Sequence, residues 1–95
     1  MIKHIVLFKL SEKTPQNLEK AVYSLKSLEG NVETLKFIEI GINFKESDTS
    51  YDIALTTHFE NKEGLDNYSK HPNHLPVIQV LQTLCSQRVV VDYEC

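Results

Sequence analysis

The opening segment from Ile2 to Leu10 alternates with a period of two, and both of its faces are apolar. Ile2, Val6, Phe8 and Leu10 accompany His4 on one side, while Ile5 and Leu7 lie between Lys3 and Lys9 on the other. Such alternation is the pattern of a β-strand. A strand that is apolar on both sides must be covered on both sides, and a chain of 95 residues has little material to do so by itself. The same doubling recurs near the end, where Val90 opposes Val89 and Val91. Helices on one side of a sheet would leave several hundred Å² of apolar surface on the other, roughly the limit a monomer tolerates. The expected cover is a second copy of the chain, sheet against sheet, in a homodimer.

The remaining punctuation supplies the other elements. Thr14-Pro15 offers a capping hydroxyl followed by proline at the first helical position, and Leu18, Ala21, Val22, Leu25 and Leu28 then recur at helical spacing up to Gly30. Val32 to Phe44 reads as a long second strand, with Gly41 a candidate bulge. Lys45 to Ser50 is a polar turn and Tyr51 to Phe59 a third strand. Asn61 caps a short helix carrying Leu65 and Tyr68, which Pro72 must end because proline disfavours helical geometry in the residue before it. Asn73 is the expected cap of a further helix with Pro76 in its first turn and Val77, Val80, Leu81 and Leu84 facing inward. Arg88 to Tyr93 is the last strand. Strand, helix, strand, strand, helix pair and strand in that order predict an α+β, ferredoxin-like domain over 1–95, a four-stranded antiparallel sheet with helices on one face. Val6, Phe8, Ile53, Leu55, Val89 and Val91 are the expected helix-facing residues.

Composition removes several functional classes. A net charge of -3 with lysines and acids intermixed excludes a nucleic-acid footprint or a polybasic membrane patch. No apolar run approaches the roughly 20 residues needed to span a bilayer, so no membrane partner and a cytoplasmic location are expected. Cys85 and Cys95 fit neither a disulfide framework nor a zinc site, and neither has an activating sequence context.

The chemistry concentrates in Tyr68-Ser69-Lys70-His71-Pro72-Asn73-His74, a phenol and two imidazoles across a helix break. A phenol donates a hydrogen bond to a developing oxyanion, and a neutral imidazole removes a proton near neutrality, so Tyr68 and His74 suffice for cofactor-free acid-base work. The positive end of the third helix would help keep His74 neutral. The plainer reading makes His71 and His74 helix-end residues and Tyr68 a core aromatic. His4, on an apolar strand face, suits a hydrogen-bonded core or interface residue, and His58 shares its face with Ala54 and Thr56. Proline between His71 and His74 prevents a shared helical face, so no metal site is expected. Asp92 and Arg88, on one strand face, are the expected ion pair.

Four segments in order, Ile2 to Lys9, Phe59 to Tyr68, His71-Pro72-Asn73-His74 and Val91-Asp92-Tyr93, resemble the stress-responsive dimeric α+β barrel family, the Dabb domain. The resemblance covers nearly the whole chain and implies a ferredoxin-like protomer and a dimer whose two sheets form a barrel. It also implies a site. A plant enzyme of that family closes a linear polyketide by aldol condensation without cofactor or metal, using a tyrosine and a histidine around the same turn. These match Tyr68 and His74, and a histidine near its start matches His4. Where that enzyme has a pocket histidine in the third strand this chain has Ile53, which implies a different substrate pocket. The family does not fix one activity. Three functions follow as expectations: a cofactor-free enzyme of cyclase or lyase type acting on a small carbonyl or polyketide-like compound, a non-catalytic stress-response or ligand-binding dimer, and a cofactor-free monooxygenase.

Overall fold

Local chemistry starts the helices where the sequence offers caps. In the computed structural model, which describes residues 1–95, the elements run β1 Ile2–Leu10, α1 Pro15–Lys26, β2 Phe37–Ile42, β3 Ile53–Phe59, α2 Lys62–Lys70, α3 Leu75–Leu84 and β4 Cys85–Glu94. The Thr14 hydroxyl accepts from the Asn17 backbone N–H at 3.1 Å, and the Asn61 side chain accepts from that of Gly64 at 2.8 Å, each satisfying a helix-start donor. Gly30, at φ 77°, takes the left-handed conformation that turns the chain after α1.

The strands form one antiparallel sheet in the order β2-β3-β1-β4, the ferredoxin-like arrangement expected. All three helices lie on one face. Their core contains Val6, Phe8, Leu25, Leu28, Ile53, Leu55, Phe59 and Leu81, all at most 5% exposed. Each such side chain contributes about 1.5–3 kcal/mol by leaving water. At the end of β1, buried Asp52 accepts the Leu10 backbone N–H at 2.8 Å, while its own N–H donates to the Phe8 carbonyl.

Several expectations need correction. The second strand is shorter than its apolar run: Val32 and Leu35 sit in a turn closed by a 3.2 Å backbone bond, with Val32 buried in the core. Gly41 is no bulge, because β2 and β3 keep an unbroken register through Gly41 and Ala54. The only register shift involving β1 falls between Lys9 and Leu10 against β4. Asn73 is not the cap of α3; His74 occupies that position without a side-chain bond, and the Asn73 amide donates instead to the Asn31 carbonyl at 2.8 Å. Val89 and Val91 do not face the helices. They pair with Leu7 and Ile5 on the open face, whereas Val90 pairs with Val6 on the helix side.

Candidate functional site

The ladder between β1 and β4 sets His4 opposite Asp92, Val6 opposite Val90 and Phe8 opposite Arg88, all on the helix-facing side. From above, α2 delivers Tyr68 and the start of α3 delivers His74, held apart in sequence by the Pro72 break. Between them lies a cleft of about 310 Å³ whose walls include His4, Leu55, Tyr68, His74, Arg88 and Val90. It runs on beneath α3 toward Cys85 and Gln87, with Phe8, Ile78, Leu81 and Arg88 bordering both parts.

Tyr68 and His74 stack, their ring centroids 4.0 Å apart and their planes tilted by 32°. The Tyr68 hydroxyl and His74 Nδ1 are both buried and have no hydrogen-bond partner in the protein. Leaving a buried polar atom unpaired costs about 1–3 kcal/mol, so two of them side by side on a cleft wall mark a place where a ligand can supply the missing bonds. Burial pushes the Tyr68 phenol well above its ordinary pKa, which keeps it a protonated donor. Burial lowers the His74 pKa, opposed by the Ser69 backbone and reinforced by the charges of His4, Arg88 and His71, so the ring is held neutral. A neutral imidazole beside a phenolic donor can accept a proton from carbon while the phenol holds the oxygen.

His4 joins the same wall. Its ring meets Tyr68 edge-on at 6.0 Å, and its Nδ1 bonds the Asp92 carboxylate across the ladder. The expected Arg88–Asp92 ion pair is therefore replaced: Asp92 serves His4, and Arg88 has no carboxylate within 4.0 Å. Ile53 does not reach the cleft. It is 1% exposed within the core, opposite Phe8 and Ile42, and Leu55 is the β3 residue that lines the cavity. His71 makes its contacts at the helix break and not on the cleft wall. Its Nδ1 accepts the Asn73 N–H at 3.0 Å and its Nε2 donates to Glu33 at 3.1 Å, tying the α2–α3 turn to the loop after α1. Glu33 is held below the usual carboxylate range by a backbone hydrogen bond and by His71. His58 lies on the open face, stacked on Phe37 at 4.5 Å.

Sequence reasoning missed Asp92 as the partner of His4 and Arg88 as a cleft residue. Side-chain parity alone put Arg88, Val90 and Asp92 on one face, but only the pairing register joins that face to His4 and Phe8.

Comparison with known proteins agrees with this architecture. An uncharacterised protein of Streptomyces coelicolor is 29% identical over 97 residues, covering 99% of both chains. A dimeric ferredoxin-like protein of unknown function from Bacteroides fragilis superposes with a TM-score of 0.84 at 29% identity, covering 99% of this chain and 95% of the other. A hydroxynitrile lyase from Passiflora edulis shares the fold with a TM-score of 0.84 at 16% identity, over 97% and 90% of the two chains. No helix is long and apolar enough to cross a membrane. The model of the stress-responsive A/B barrel domain matches residues 2–95, and the chain belongs to that family.

Proposed function

We propose that the cleft binds a small carbonyl compound and promotes proton transfer at the carbon next to the carbonyl without a cofactor. His74 takes the proton, and the Tyr68 hydroxyl donates a hydrogen bond to the carbonyl oxygen as it becomes an enolate. The electron pair of the broken C–H bond moves into the new C=C bond and the carbonyl pair onto oxygen; return of the proton from His74 to carbon restores the ketone, whereas attack of the enolate carbon on a second carbonyl forms a C–C bond and an alkoxide that takes the proton from His74, a cyclase-type reaction whose reverse, with that C–C bond cleaved, is the lyase-type one. His4, fixed by Asp92, borders the same pocket as a substrate-binding group. One observation carries this reading: two unpartnered, buried polar atoms on rings 4.0 Å apart in a mostly apolar wall.

Deuterium wash-in tests it directly. A small methyl ketone in D₂O, followed by proton NMR, should lose its α-proton signal faster with the protein than in buffer, and His74→Ala should return the rate to the buffer value. Equal rates with and without the wild-type protein would end the catalytic reading.

The same proposal places the site in a homodimer. The open face carries Val89, Val91 and Tyr93, 44%, 59% and 41% exposed, beside half-buried Ile5 and Leu7 and next to the Phe37–His58 stack. A face this apolar needs a cover, and the Bacteroides fragilis relative is dimeric.

A further inference from the structure

Arg88 is an arginine on the wrong side of its strand. Across the ladder it stands opposite Phe8, itself 4% exposed, on the face that the helices cover. Its own side chain is exposed, at the open edge of that face, and the acid with the right parity to pair with it is Asp92. Asp92 is taken by His4; Asp52 binds the Leu10 N–H and Lys13, Glu94 meets Lys62, and Glu39 stands on β2, opposite Thr56 on the other face of the sheet. Arg88 therefore carries a full charge with five N–H donors, makes no ion pair, and borders both parts of the cleft. It is also the only lysine or arginine on the wall of the main cavity.

We propose that Arg88 is the anion-recognition group of this cleft, and that the ligand is a carbonyl compound bearing a carboxylate at the end remote from its reacting carbonyl. The inference rests on the cleft being a carbonyl site and adds the substrate class. Residues 88 and 92 of β4 are about 13 Å apart along an extended strand, so the His4–Asp92 end and the Arg88 end can hold two ends of one ligand. The wall between them, Val6, Val90, Leu81 and Ile78, is apolar and suits a hydrocarbon link. A planar guanidinium binds a carboxylate through two parallel hydrogen bonds, which fixes the orientation of the chain as well as its charge.

The test compares a linear oxo-octanoate, its ketone near the end remote from the carboxylate, with the methyl ester of the same acid. Binding to the isotope-labelled protein is followed by NMR titration, with wild type, Arg88→Gln and Arg88→Lys. The acid should bind more tightly than the ester to wild type, and Arg88→Gln should weaken the acid by about tenfold while leaving the ester unchanged. Arg88→Lys should recover part of the loss, because it restores the charge without the fork. Equal binding of acid and ester to wild type, with no effect of Arg88→Gln, overturns the anion role while the carbonyl site stands. Failure of both probes to move the resonances of Tyr68 and His74 removes the carbonyl site and this inference together. Unchanged acid binding with a new aggregated state in Arg88→Gln would assign the arginine to guarding the β4 edge, again overturning the proposal.

Discussion

Tyr68 lies on α2 and His74 at the cap of α3, yet their rings stack at 4.0 Å, and each presents a buried polar atom that the protein leaves unbonded. The relationship depends on Pro72. Without the break, the residues would sit on one continuous helix, where positions six apart point to different sides. The break lets α3 start afresh and return His74 over the phenol, so a local rule of backbone geometry creates the chemical pairing.

Tyr68→Phe separates the two roles of the phenol. The ring is 1% exposed and packs on Phe59 with centroids 5.0 Å apart, so its apolar contribution survives the change. The hydroxyl has no partner, so losing it removes an unpaid desolvation cost, and stability should stay level or rise by about 1 kcal/mol. Proton exchange should fall by about 100-fold, the usual effect of deleting an oxyanion donor. Urea denaturation and the deuterium assay report the two quantities independently. A large loss of stability would mean that the hydroxyl is bonded after all.

His74 also makes stability depend on pH. Its folded pKa is below the 6.5 of a free imidazole, chiefly through burial. The unfolded chain therefore binds the proton more readily, and the contribution of this group is fully present above pH 6.5 and lost as pH falls toward the folded value. Denaturation midpoints measured between pH 7.5 and pH 5 should decline in the wild type, and His74→Phe should flatten part of that decline. An identical slope in both proteins would show that the imidazole is as easily protonated folded as unfolded.

How much of this was legible in the chain depends on the range of the interactions. Thr14-Pro15, Asn61 and Pro72 act on neighbours three or four residues away, and the helices they start or stop are found where local chemistry puts them. Val32 and Leu35 fit a strand pattern because apolar spacing cannot tell a pleat from a turn that dips two side chains into a core. Asn73 is a good cap by type, but the distant Asn31 carbonyl claims its amide. The pairing of Tyr68 with His74 followed from the turn motif, whereas the choice of Asp92 between Arg88 and His4 is a matter of register, and register is invisible to a single strand. Ile53 has the residue type of a pocket wall and the position of a core residue, two strand places that only the helix packing distinguishes.

Asp52 is expected to matter for stability and not for the cleft. Its carboxylate accepts the buried Leu10 N–H at 2.8 Å and lies 3.5 Å from Lys13. Asp52→Ala would orphan that donor and should cost about 1–3 kcal/mol. Asp52→Asn keeps an acceptor in place and should cost less than half as much. Urea midpoints give the comparison, and ketone binding should be unchanged in Asp52→Asn. Equal losses for Ala and Asn would mean that the charge, and not the hydrogen bond, is what the end of β1 requires.

The open face and the cleft face are separated by a single step of the pleat, which makes their roles testable with neighbouring substitutions. Ile5 points away from the helices, with Thr56 and Val91 on either side of it, whereas Val90 points into the cleft opposite Val6. If two sheets pack face to face, Ile5→Glu places a carboxylate from each copy inside the interface, and an unpaired buried charge costs several kcal/mol per ion. Light scattering at micromolar concentration should then show a dimer for wild type and a folded monomer for Ile5→Glu. Val90→Glu should remain dimeric, because it puts its charge beside Arg88 and not between protomers, while weakening ketone and keto-acid binding. The reversed outcome, with Val90→Glu dissociating the protein and Ile5→Glu leaving it intact, would place the partner on the helix side of the sheet and close the cleft to any ligand.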